Sequence, residues 1–180
     1  MTAPGPSLLP RLLRDNPDTV THLLEELTGE PLVAEVVHQY SRPAHARNTL
    51  GVGAGEAVTH RIAVLKGGVT MVPYVYAESA FVPARLPEAA RLQLERTRDP
   101  IGRVLAAHGL AHLREETPAS GPGTPRALAL ALALDGVAAG ASPIVWSRAY
   151  RLTIDELPVF AICEWFFRSV QDAAERTMPA

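Results

Sequence analysis

The chain has one cysteine, Cys163, in 180 residues. An intramolecular disulfide and a zinc cluster built on several thiolates are therefore excluded, and a reducing compartment fits. Charge of one sign is also missing. The 17 basic and 19 acidic side chains leave a formal net charge of -2, without the basic footprint of a nucleic-acid binder. Lysine is nearly absent: Lys66 stands alone among arginines. No stretch reaches the ~20 apolar residues of a membrane span. Prolines and arginines interrupt the leucines of MTAPGPSLLPRLLRDNP, so we expect no signal peptide, no membrane association and a cytoplasmic location. Aromatics make up 6% of the chain, but hydrophobic residues make up 47%. A chain of this length buries roughly 70% of its unfolded surface, enough for one domain over residues 1–180.

Two short helices are expected first, one after Ser7 and one after Asn16 with Pro17 at its first position. In the second, Val20, Leu23, Leu24 and Leu27 recur at helical spacing and Gly29 stops it. Leu32 to Tyr40 reads as a strand, followed by a loop through Gly55. Ala57 to Lys66 and Val69 to Phe81 read as paired strands around a Gly67-Gly68 turn. Pro73 suggests an edge position or a bulge there. Leu86 to Thr97 reads as helix, Asp99-Pro100 opens another ending at Gly109, and Leu110 to Glu116 reads as strand. Within Thr117 to Pro143, the ALALALAL run is read as helix on its residue types. Ile144 to Ile154 and Leu157 to Phe167 form a second hairpin around Asp155-Glu156. The fold class is therefore α+β: a single mostly antiparallel sheet with helices packed on one face.

The two hairpins share a layout, with an arginine in the first strand and a glutamate in the second: Arg61 to Glu78 and Arg148 to Glu164. We read this as an internal pseudo-repeat. Glu164, in FAICEWFF, has apolar residues on either face of its strand. Its carboxylate must find a partner or take a raised pKa, and both conditions are typical of functional sites. Arg61, in VTHRIAVL, poses the same problem with opposite sign. It is either paired structurally, for example with Glu164, or available to grip a ligand carboxylate through two parallel hydrogen bonds. For Arg148 and Glu78 the structural reading is preferred.

Other motifs carry less. His108 and His112 stand at i, i+4, but Gly109 falls between them and no third ligand is suitably spaced. They are read as solvated loop histidines, and no metal is expected. The GVGAGE run lacks the phosphate-loop pattern and is read as a flexible loop, and no G-x-S-x-G is present. Cys163, beside a carboxylate, is assigned to core packing.

Four stretches resemble the chorismate pyruvate-lyase family: LLEELTGEP at 23–31, HRIAVLKGGVTMVPYVYAESAFVPARLP at 60–87, DPIGRVL at 99–105 and SRAYRLTIDELPVFAICEWFF at 147–167. The resemblance implies a chorismate lyase-like fold and elimination of pyruvate from chorismate to leave 4-hydroxybenzoate. It makes Arg61 the arginine that binds the substrate carboxylate and Glu164 the active-site glutamate. Ile101, before Gly102, falls where the family has a leucine whose backbone touches the ligand, and Leu27 falls at a methionine that also contributes backbone. Aromatisation of the ring supplies the driving force, so no cofactor is expected. The partner implied is a small-molecule substrate, held by a monomer or homodimer. Two other readings stand beside this one: a lyase or related enzyme for a different chorismate-like compound, such as isochorismate or a 4-amino-4-deoxychorismate-like compound, or for a specialised-metabolite intermediate, and a non-catalytic domain similar to the effector-binding domains of HutC-type regulators.

Overall fold

A computed structural model describes residues 8–15, 19–118 and 144–177. Helix α1 (Leu8–Asp15) and helix α2 (Val20–Thr28) lead into strands β1 (Leu32–Pro43), β2 (Ala57–Gly67) and β3 (Pro73–Phe81). A 3-10 turn at Pro83–Arg85, helix α3 (Glu88–Arg96) and helix α4 (Ile101–Ala107) follow. Strands β4 (Leu113–Thr117), β5 (Ile144–Ile154) and β6 (Leu157–Phe167) complete the sheet, and helix α5 (Arg168–Thr177) comes last. The six strands run antiparallel in the order β1-β2-β3-β6-β5-β4. Pro17 and the ALALALAL run lie outside the described residues. No helix among the described residues is long and apolar enough to cross a membrane.

Several local expectations hold for the expected physical reason. Gly29 ends α2 at φ +70° and returns its amide to Glu25 O, as a left-handed C-terminal glycine does. Asp155 and Glu156 both take positive φ, +48° and +64°, the type I′ geometry that suits a two-residue hairpin.

The first hairpin differs from its expected form. Its turn spans residues 68–72, and Met71, not a glycine, takes positive φ. Gly67 and Gly68 are needed for close approach. A Cβ on Gly67 would meet Glu30 Oε1 at 2.0 Å, and one on Gly68 would meet Pro31 O at 2.8 Å. The Glu30 carboxylate fills that space. It accepts hydrogen bonds from the amides of Val69 and Thr70, both at 2.9 Å, from the Thr70 hydroxyl at 2.6 Å and from the Tyr74 hydroxyl at 3.0 Å. Pro73 is not on an edge, because β3 lies between β2 and β6. It opens the strand beside a bulge at which the register slips by one residue. Helix α5 has no counterpart in the sequence reading; its buried Val170, Ala173 and Ala174 recur at helical spacing.

The side chains on the helix-covered face explain where the core opens. Leu65, Val75, Phe166 and Trp146 lie side by side across β2, β3, β6 and β5. They pack with the buried residues of α1, α2 and α5. Six residues further along, Phe81, Phe160 and Leu152 make a second bulky row, which packs with α3 and α4. Between the two rows the side chains are small or polar: Ala63, Ala77, Glu164 and Arg148 in one row, and Arg61, Ser79, Ile162 and Tyr150 in the next. Small residues on a strand face cannot reach the helices above, so the core divides there and leaves a cavity. On the opposite face, Leu50 and Val52 from the β1–β2 connection cover Val58 and Val82.

Candidate active site

The cavity contains about 680 Å³ of empty space, part of it open to solvent. Ala63, Ala77 and Ser79 are on its floor, and the first turns of α2 and α4 contribute Thr19, Val20, Thr21, Ile101 and Gly102 to the lining. Gly102 lets the two helices meet. A Cβ there would fall 2.4 Å from Thr19 Oγ1 and 2.9 Å from Thr21 Oγ1.

Arg61 projects into this space from β2 and is 2% exposed. Its Nη1 donates to Leu94 O at 2.8 Å and its Nη2 to Asp99 O at 3.0 Å. Leu94 O is one of the last carbonyls of α3, which has no partner within the helix, so the guanidinium docks on the negative end of that helix dipole. The α3–α4 connection is itself tied down, since Asp99 Oδ2 accepts from Gln93 Nε2 at 2.9 Å and from Thr97 Oγ1 at 3.0 Å. Gln93 and then Thr97 and Arg103 hold the Asp99 carboxyl below its usual range, against the opposing pull of burial. Burial pushes the Arg61 pKa down, with Asp99 partly opposing it. Among the described residues no carboxylate lies in salt-bridge contact with Arg61.

Glu164 is 3% exposed and lines the same cavity. Its partner is Arg148, directly opposite on β5. Arg148 Nε donates to Glu164 Oε2 at 2.7 Å, and Tyr150 Oη donates to Oε1 at 2.8 Å. Arg148 also reaches Leu13 O at 3.1 Å, and its guanidinium lies over the rings of Tyr150 and Phe166. Burial alone would lower the Arg148 pKa, but Glu164 reverses that and raises it. Burial, then Glu164, raises the Tyr150 pKa well above 10, which keeps its hydroxyl a donor. A structural pair between Arg61 and Glu164 therefore does not form. The two lie diagonally, two strands and one residue pair apart, so their Cα atoms are separated by roughly 12 Å.

The pseudo-repeat does not survive in register. Arg148 faces Glu164, whereas Arg61 faces Ser79 and Glu78 faces Ile62 on the other side of the sheet. There Glu78 accepts from Tyr76 Oη at 3.0 Å. Arg151 also turns away and pairs with Glu115. Ile101 and Gly102 line the cavity. Leu27 does not: it is buried in the core that α2 forms with α1, α5 and the sheet. His108 bonds Gln93 at 2.8 Å. His112, expected in solvent, lines the cavity, as does Arg114. Tyr150 and Arg114 were not singled out by sequence, and His112 was read only as a solvated loop histidine. The Tyr150 signal was available in its placement two residues from Arg148, on the same strand face. No group of three or more His, Cys, Asp or Glu side chains among the described residues is placed to hold a metal ion.

No protein-family model matches the chain. Chorismate pyruvate-lyase of Mycobacterium tuberculosis (strain H37Rv) is 31% identical over 157 residues, covering 84% of this chain and 76% of that protein. The chain belongs to the chorismate pyruvate-lyase family. The relative of the same name from Mycobacterium bovis matches at the same identity and coverage. Among solved structures, the effector domain of PhnF from Mycobacterium smegmatis superposes with a TM-score of 0.52 at 16% identity, covering 84% of this chain and 90% of that one. The possible transcriptional regulator YydK from Bacillus subtilis gives a TM-score of 0.52 at 14% identity, covering 77% and 59%. These likenesses describe the fold alone. The chorismate pyruvate-lyase family and these regulators thus share one chorismate lyase-like architecture, the α+β class expected from the sequence.

Proposed function

We propose that the chain, acting as one domain over residues 1–180, is a cofactor-free lyase that eliminates pyruvate from chorismate and leaves 4-hydroxybenzoate. The observation that carries this reading is Arg61, a buried guanidinium in a cavity wall, held by two backbone carbonyls and, among the described residues, by no carboxylate. A ligand carboxylate completes its coordination, and such charge-assisted pairs are strong where water is excluded. A ring anchored there by its carboxylate extends across Ala63, Ala77 and Ser79 toward Glu164.

Both Glu164 oxygens accept hydrogen bonds, which supports the role of base. Each oxygen has a second lone pair free to receive a proton. Glu164 takes the proton from the ring carbon that bears the hydroxyl, and the C–H electrons form the new ring double bond. The adjacent C–O bond breaks, and enolpyruvate departs with that electron pair. One proton returned to its methylene carbon gives pyruvate. Aromatisation drives the step, so the protein needs only to orient the ring and hold the developing charge. Arg148 and Tyr150 fix the carboxylate in place, and the enclosed cavity makes product release a candidate for the slow step.

Purified protein incubated with chorismate, without added metal or cofactor, should yield pyruvate and 4-hydroxybenzoate in equal amounts by chromatography. Absence of both at high enzyme concentration refutes the reading. Arg61→Ala should abolish binding, while Glu164→Gln should bind and fail to turn over. A second reading is favoured by the engagement of both Glu164 oxygens: the carboxylate acts as a structural anchor, and the cavity binds a ligand without changing it. Recovery of bound chorismate unaltered would support that outcome. A panel of related cyclohexadienes separates the reaction type from the choice of substrate.

A further inference from the structure

The helices cover one face of the sheet, and a second depression lies on the other. There His60, Ala80 and Ala161 form one row across β2, β3 and β6, and Ile62, Glu78 and Cys163 form the next. The two alanines pack against the cluster of Leu50, Val52, Val58 and Val82, which closes one end. The cluster of Val64, Tyr76 and Trp165 bounds the other. Small side chains between two bulky clusters leave a groove, with about 600 Å³ of empty space, part of it open to solvent. Tyr40 and His60 form its wall toward β1, their rings stacked with centroids 5.2 Å apart.

Glu78 is the charge in this groove. Its side chain is half-buried; Oε1 accepts from Tyr76 Oη at 3.0 Å, and Oε2 accepts no hydrogen bond among the described residues. No cation among the described residues lies in salt-bridge contact with it. His60 supplies none. It accepts from Arg42 Nε at 2.9 Å, and burial, then Arg42, pushes its pKa down, so the ring is neutral. Arg42 itself is outside the lining. It stands two strands and four residues from Glu78, roughly 16 Å between Cα atoms. A carboxylate set among apolar and aromatic side chains, with one oxygen unoccupied, favours a ligand cation. An aromatic wall suits the same charge.

We propose that this groove binds a small organic ammonium ion with a flat apolar body, the nitrogen donating to Glu78 Oε2 and the body lying over Ala80 and Ala161 against Tyr40. The inference goes beyond the lyase reading and does not rest on it, since the groove and the cavity lie on opposite faces of the sheet.

Cys163 lines the groove and is the chain's one cysteine. Its reaction with 4,4′-dithiodipyridine, a neutral disulfide, therefore reports occupancy of this site. The probes are tyramine and its uncharged analogue 4-hydroxyphenethyl alcohol, each added to wild type and to Glu78→Gln. Tyramine should slow the labelling of wild type with a Kd of roughly 1 mM, the strength a ligand of this size gains from one charge pair and modest burial. The alcohol should need about 10-fold more, the effect of losing the charge-assisted pair. Glu78→Gln keeps an acceptor for Tyr76 and should bring tyramine down to the level of the alcohol. Equal potency of alcohol and amine on wild type, or no protection by tyramine at about ten times the expected Kd, overturns the proposal whatever the variant does. So does equal protection by tyramine in wild type and Glu78→Gln.

Discussion

Replacing Arg148 by methionine removes the charge facing Glu164 while keeping much of the side chain's bulk. Both side chains of the pair are 3% exposed, their contact is 2.7 Å, and among the described residues the other side-chain hydrogen bond to the Glu164 carboxylate comes from Tyr150. Breaking one side of such a buried pair costs about 3 to 5 kcal/mol, because the remaining charge stays desolvated without compensation. A domain of this size has total stability of about 5 to 15 kcal/mol, so Arg148→Met should cost a large share of it. The double variant Arg148→Met/Glu164→Gln leaves no charge behind, and its amide can still accept the Tyr150 hydrogen bond. It should therefore recover most of the loss, with a coupling energy of at least about 2 kcal/mol in a double-mutant cycle. Urea unfolding followed by tryptophan fluorescence measures all four corners. A coupling below about 0.5 kcal/mol would show that the pair is not a desolvated unit, and Glu164 would lose its assigned support.

Three further outcomes follow from other parts of the fold. Glu30 has its pKa lowered from 4.5 to about 2, chiefly by the Thr70 hydroxyl and amide. The lower folded value means that its contribution is complete above pH ~4.5 and fades as pH falls toward 2. The shift sets an upper limit of about 3.4 kcal/mol, which solvent near the turn reduces to about 1 to 2. Glu30→Gln should lose this at pH 7 in urea melts and show a flatter acid limb; equal acid limbs in both proteins would contradict it. Gly102→Ala should lower Tm and weaken ligand binding, because overpacking costs about 1 to 3 kcal/mol and exceeds the ~1 kcal/mol gain in helix propensity. An unchanged or higher Tm would show that α2 and α4 part easily. Cys163 is half-buried, and burial, then Glu78 and Glu164, raises its pKa. It should react with a thiol reagent at pH 7.5 several-fold more slowly than a free thiol; equal rates would place it in open solvent.

Much of the fold was legible in the sequence because it depends on local chemistry. Gly29, the Asp155-Glu156 turn and the alternation of β2 and β6 need no distant partner. Leu27 shows the limit. Helical spacing placed it correctly on the buried face of α2, but only the packing of that helix shows that the face meets the core and not the cavity. His112 and Arg114 are ordinary in sequence, since β4 is a short edge strand whose inward side is defined by its pairing with β5.

The sequence by itself determined that Arg61 and Glu164 are charges inside apolar strands and must be resolved by something. The tertiary structure decided how, through two bulges. In the first hairpin the register slips between Leu65 and Lys66, and in the second between Leu152 and Thr153, each time beside a proline on the return strand. Without those slips Arg61 would face Glu78, and Arg148 would face Cys163. One extra residue reverses which neighbours share a face. The first slip sets Arg61 opposite Ser79 and leaves it for a ligand, and the second delivers Arg148 to Glu164. A bulge depends on what the strand packs against, so strand periodicity alone could not place either one.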